Sequence, residues 1–140
     1  GRLQQTAQPR GLWQESEAAD PVLCLAAHPD QPDIALSGSA GGVLCGGDLR
    51  QSRWPLFRLR ASDAAINSVA YHSARPDRVV SCGDDGAVML WQLKDQVPAV
   101  VTLATGALPF QALSIAGRED MVVAAGQQRL FVRTGLLNEF

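Results

Sequence analysis

Residues 81–92 read Ser81-Cys82-Gly83-Asp84-Asp85-Gly86-Ala87-Val88-Met89-Leu90-Trp91-Gln92. The acidic glycine stretch Gly83–Gly86 divides two apolar runs, and Asp-Gly is the strongest short-range signal for a hairpin turn. The run before it extends back to Arg78-Val79-Val80, and the run after it is Ala87-Val88-Met89-Leu90-Trp91. Upstream, Ile66-Asn67-Ser68-Val69-Ala70-Tyr71 alternates apolar and polar residues, as a half-buried strand does. It leads into Ser73-Ala74-Arg75-Pro76-Asp77, whose Pro and Asp favour chain reversal. Downstream, Ala99-Val100-Val101-Thr102-Leu103 supplies a fourth strand after the connection 94–98. No segment of helical length carries a sustained apolar stripe of period 3.6.

The same pattern occurs again at a fixed distance. Laid over Ile66–Lys94 without a gap at an offset of 44, Val22–Arg50 pairs Ala26 with Ala70, His28 with His72, Pro32 with Pro76 and Asp33 with Asp77. Ser37 with Ser81, Gly42 with Gly86 and Leu49 with Leu93 complete 7 identities in 29 positions, where average composition gives about two. A third unit begins at Phe110, with Phe110-Gln111-Ala112-Leu113-Ser114-Ile115 at the same offset. It loses one residue in its loop, so that at an offset of 43 Val122–Gly126 falls on Val79–Gly83 and Leu130-Phe131-Val132 on Ala87-Val88-Met89. Four short strands in about 44 residues is the arithmetic of a β-propeller blade. The chain thus divides into a blade remnant and linker (1–20), a degenerate blade (21–60), a well-preserved blade (61–104) and a shortened final blade (105–140). It opens at Gly1 without a methionine, inside a segment of strand character, and is expected to be a piece of a longer chain.

Residues 81–92 resemble the WD40 family. In that family a Ser or Thr on the second strand, an Asp in the following turn, a Trp on the third strand and a His near the start of the blade form a hydrogen-bonded tetrad. The resemblance implies these roles for Ser81, Asp85 and Trp91; the His position falls near Ser62. The preceding unit has Gly41 for the Asp and Gly47 for the Trp, and neither unit ends in Trp-Asp, reading Gly47-Asp48 and Trp91-Gln92. Within the family the chain is most similar to the small WD40 nucleoporins. The similarity is carried by Pro21-Val22-Leu23-Cys24 leading to His28-Pro29, by Asp48-Leu49-Arg50-Gln51, by the weak last blade, and by a chain that stops shortly after Leu130–Thr134. It implies an all-β, WD40-type propeller of about seven blades, of which this chain supplies roughly the last three. It further implies a non-catalytic scaffold subunit of the Y-shaped complex of the nuclear pore, at the nuclear envelope, supporting transport of protein and mRNA. Its partners would be other scaffold nucleoporins, with an α-helical solenoid subunit foremost. The alternative is another WD40 adaptor, such as a ubiquitin-ligase substrate receptor or an organelle-import receptor.

Composition excludes several other classes. Twelve basic and 14 acidic residues, a formal charge of -2, give no electrostatic footprint for nucleic acid. No apolar run approaches the length of a membrane-spanning helix, and a soluble intracellular protein is expected. Cys24, Cys45 and Cys82 are an odd set without CxxC spacing, which reads as three small buried hydrophobes.

Neither a cofactor nor a catalytic constellation is expected. His28 and His72 occupy one repeat position and have no neighbouring Cys or third His to complete a metal site. Asp84 and Asp85 before Gly86 read as turn formers, not as paired acid and base. Gly38, Gly41, Gly42, Gly46 and Gly47 fit no phosphate-binding spacing and precede no helix. Arg50, Arg53, Arg58 and Arg60, interleaved with Trp54 and Phe57, form the best candidate for a protein contact, centred on Arg50, Arg53 and Trp54. The competing reading takes Arg58 and Arg60 as the solvent side of an outer strand. Leu12-Trp13 lies in a polar loop between blades and would pack on the ring or on a partner.

Overall fold

A computed structural model of the chain describes residues 20–51, 55–94 and 97–140. The described residues form eleven strands and one short 3-10 turn. The strands are β1 (Val22–Ala27), β2 (Ile34–Ser39), β3 (Val43–Asp48), β4 (Phe57–Arg60), β5 (Ile66–Tyr71), β6 (Arg78–Gly83), β7 (Val88–Gln92), β8 (Ala99–Ala104), β9 (Phe110–Ala116), β10 (Met121–Gly126) and β11 (Arg129–Thr134). The turn is η1 (Leu136–Asn138). They make three antiparallel meanders in chain order: β1-β2-β3-β4, β5-β6-β7-β8 and the three-stranded β9-β10-β11. No strand lies among the described residues ahead of β1, and of the expected remnant and linker over 1–20 only Asp20 is described.

The repeat is visible bond by bond. His28 N–H donates to Ile34 O at 3.0 Å, and His72 N–H to Arg78 O at 2.9 Å. Leu49 N–H donates to Asp33 O and Leu93 N–H to Asp77 O, each at 2.7 Å. The β2-β3 and β6-β7 turns share a glycine in the left-handed region, Gly42 at φ 86° and Gly86 at φ 77°. A Cβ on Gly42 would lie 1.9 Å from Ser62 O and one on Gly86 2.0 Å from Gly106 O. Those two carbonyls are themselves 44 residues apart. The glycines are therefore required both by φ and by the chain crossing to the next blade.

The third blade departs from the uniform 43-residue offset expected for it. Leu130 pairs with Ala125 as Val88 pairs with Cys82, so β11 runs one residue earlier, at an offset of 42. The reason is the turn. Gly126 pairs directly with Arg129, leaving only Gln127-Gln128, and Gln128 takes the left-handed conformation at φ 59°.

Blades stack face to face through two apolar layers. Leu36, Leu44, Ile66, Val69, Val79 and Trp91 join the first sheet to the second. Val80, Val88, Leu90, Phe110, Val122 and Leu136 join the second to the third. Strands β3 and β6 are buried along their whole length and β2 from Leu36 to Ser39, which explains their runs of apolar or small residues.

Candidate docking surface and the polar pins of the blades

Trp91, 7% exposed, donates its indole N–H to Ser81 Oγ at 3.0 Å. The pair stands where β6 and β7 face the first sheet, so a buried indole spends its one polar atom inside the blade. Asp85 stands apart from them. Its carboxylate is exposed, and its Oδ1 accepts the N–H of Ala87 at 3.0 Å, closing the turn locally. The buried carboxylate that the tetrad pattern implied is thus absent, because Ser62 supplies no imidazole; its hydroxyl accepts the N–H of Ala64 at 2.9 Å. In the degenerate blade Ser37 Oγ donates instead to Cys45 O at 3.3 Å.

Two polar pins escaped the sequence reading. Asp20, ahead of β1, accepts Ser39 Oγ–H at 2.8 Å and Gly41 N–H at 2.6 Å, while Ser39 Oγ accepts Val43 N–H at 3.0 Å. The carboxylate missing at Gly41 is replaced from the start of the blade. A Cβ at Gly41 would lie 2.8 Å from Asp20 Oδ1, so the glycine makes room for its substitute. The second pin is His72, fully buried, with Nδ1 accepting the N–H of Ala74 at 3.2 Å. Its Nε2 therefore carries the hydrogen and donates to Asp120 Oδ1 at 2.8 Å, in the next blade. Asp120, at φ 52°, also accepts the N–H of Leu137 at 3.0 Å and so anchors η1. His28 at the same repeat position is half-buried; its Nδ1 accepts the N–H of Asp30 and of Gln31, each at 3.1 Å. Both histidines are turn acceptors, and no cluster of three His, Cys, Asp or Glu suited to a metal occurs among the described residues.

Of the arginine strip, Arg53 and Trp54 lie outside the described residues. Arg50 is two-thirds exposed and folds back on its own chain. Its Nη2 lies 2.7 Å from Asp48 Oδ2 and its Nε 3.5 Å from Asp33 Oδ2. The hydrogen bonds from Arg50 hold the Asp48 carboxyl down at about 2, well below its usual 3.8, and the Arg50 guanidinium is shifted upward by the same contact. Arg58 and Arg60 are the exposed residues of β4, alternating with half-buried Phe57 and Leu59. Arg60 also donates to Gly41 O at 2.7 Å.

None of the three cysteines forms a disulfide, and all are at least partly buried. Burial pushes the Cys24 thiol to about 11 and the Cys82 thiol to about 12, so neither is a nucleophile near neutral pH. No helix among the described residues is long and apolar enough to cross a membrane.

Four-stranded antiparallel meanders on a 44-residue period, stacked face to face, are the arrangement of β-propeller blades. The family described as WD domain, G-beta repeat, matches residues 53–92, the span that includes Ser81 and Trp91. Among characterised proteins, the chain is similar to nucleoporin Nup43 of Mus musculus, 32% identical over 78 residues, covering 56% of this chain and 20% of that protein. The Homo sapiens Nup43 is 31% identical over 78 residues with the same shares. The WD repeat-containing protein YPL247C of Saccharomyces cerevisiae is 27% identical over 82 residues, covering 56% of this chain and 15% of that protein. The matched region is about a fifth of the length of the nucleoporins it resembles.

Proposed function

We propose that this chain belongs to a non-catalytic scaffold subunit of the nuclear pore, acting through protein–protein contacts in the Y-shaped complex and so supporting transport of protein and mRNA. The observation that carries the reading is the similarity to Nup43 over 78 residues, on a fold built of WD40 blades. Rigid blades pinned by buried polar contacts present fixed loops at their edges, which is what a lattice component requires. The whole protein would be a closed ring of about seven blades, this chain supplying roughly three. Its partners would be scaffold nucleoporins, an α-helical solenoid subunit among them, and its place the nuclear envelope.

The test is a tagged full-length protein. Co-purification with scaffold nucleoporins and a fluorescent nuclear rim are expected. A diffuse signal with ubiquitin-ligase or organelle-import partners overturns the pore assignment and favours a different WD40 adaptor, a reading to which the similarity to YPL247C also lends weight.

A further inference from the structure

The two blade junctions differ in one respect on the side of the β1-β2 and β5-β6 turns. At the junction of the second and third sheets the socket is occupied by the chain itself. Arg78, 3% exposed, donates from Nη1 to Leu136 O at 3.3 Å, and the Phe140 ring lies over its guanidinium at 5.2 Å. Beside them the Asp120 carboxylate takes the Nε2–H of His72 at 2.8 Å. An aromatic ring, itself 41% exposed, and a carboxylate thus cap the place together.

The equivalent place between the first and second sheets is open among the described residues. Ile34 stands where Arg78 stands in the next blade, and Leu93 where Leu136 stands, each of the latter pair donating its N–H to the carbonyl of the repeat Asp. With His28, Leu56, Phe57 and Tyr71 they line a groove of about 380 Å³, within the size range of specific ligand sites. Val97, on the connection that follows Leu93, is 81% exposed. The carboxylate is missing too, since Asp77, the counterpart of Asp120, is engaged by Arg75 at 3.4 Å. His28 Nδ1 is taken by two backbone N–H groups, so its Nε2 carries the hydrogen. That donor and the Tyr71 hydroxyl have no protein partner among the described residues, and the two rings lie 5.0 Å apart.

We propose that this groove docks a segment of a partner protein that presents an aromatic side chain beside a carboxylate. The ring would enter between Ile34, Phe57 and Leu93, and the carboxylate would accept from His28 Nε2, as Asp120 accepts from His72. The proposal deepens the docking function inferred above and rests on it, giving that function a surface and a ligand chemistry.

The test titrates a fluorescein-labelled, C-terminally amidated hexapeptide copying residues 135–140, Gly-Leu-Leu-Asn-Glu-Phe, against the full chain by fluorescence anisotropy. Saturable binding is expected, weakened at least tenfold by Leu56→Glu in the protein or by alanine in place of the peptide's phenylalanine. A loss of at least threefold is expected for His28→Ala, and for glutamine in place of the peptide's glutamate. Leu56 is 61% exposed, so its substitution leaves the sheets intact and decides the matter even where His28→Ala loosens its own turn. It also separates this groove from the socket that Phe140 occupies. Absence of saturable binding, binding indifferent to Leu56→Glu, or binding equally tight with the glutamine peptide overturns the proposal. A failed titration beside a normal nuclear rim removes the groove and leaves the scaffold reading; the converse result keeps the groove and removes the pore.

Discussion

Trp91 and Ser81 spend their polar atoms on each other inside the blade, so removing one partner exposes the cost of the other. Ser81→Ala leaves a buried indole N–H unsatisfied and is expected to destabilise the fold by about 1–3 kcal/mol. Trp91→Phe keeps most of the apolar contact with Leu36 and Leu44. With Ser81→Ala already in place it should cost less than it does alone, a coupling of about 1 kcal/mol measurable by urea denaturation of the four proteins of the cycle. Strict additivity would remove the hydrogen bond from the account. Asp48 offers a second test, in pH. Its carboxyl is lowered from 3.8 to about 2 on folding, so its bonds to Arg50 contribute in full above about pH 4 and fade as pH falls toward 2. The stability gap between the parent chain and Asp48→Asn should therefore be widest near pH 5 and narrow steadily toward pH 2; a gap that widens on acidification contradicts the assignment. The Ser81–Trp91 pair was implied by the resemblance to WD40 repeats, which places a Ser and a Trp at fixed positions of one hairpin. Asp20 and Asp120 were not, because they join loops 19 and 48 residues apart whose approach only the stacked sheets determine.

Turns, more than strands, decide how the elements sit. The strands of the first two sheets could be read from apolar runs and Asp-Gly or Gly-Gly turns, since the turn glycines keep the register equal in both. The last hairpin could not, because Gln127-Gln128 carries no glycine to mark where the chain reverses, and the shift of β11 by one residue follows from that two-residue turn. A consequence can be measured at Gly86. Any side chain there must hold φ near 77° and displace Gly106 O, which would lie 2.0 Å from its Cβ. Gly86→Ala is accordingly expected to cost more than the 1–3 kcal/mol of an unfavourable φ alone. Gln128→Gly at the unobstructed last turn should raise stability by up to about 1 kcal/mol, because it relieves the same φ without a collision. Thermal melts of the two variants moving in the same direction would show that φ and crossing do not govern these turns.

At the scale of the molecule the two sides of the last sheet differ sharply. One side, with Leu113, Ile115 and Phe131, packs on the second blade. The register brings Leu130, Ala125 and Ala112 onto the other side, followed by Val132, Val123 and Ser114. There Leu130 is 70% and Val132 51% exposed, and β11 has a hydrogen-bonded strand on one edge only among the described residues. An apolar sheet face beside an unpaired edge favours association with another sheet, whether a further blade of a longer chain or a second copy. For the 140-residue chain by itself, sedimentation velocity at tens of micromolar is expected to show species heavier than the monomer. The double variant Leu130→Glu with Val132→Lys places opposite charges on that face, two residues of strand apart, and should return the distribution to monomer without lowering the melting temperature, since neither side chain is in the core. An unchanged distribution would mean that the face is not where copies meet, and would move the search to the exposed Leu23 and Leu25 of β1 at the opposite end of the stack.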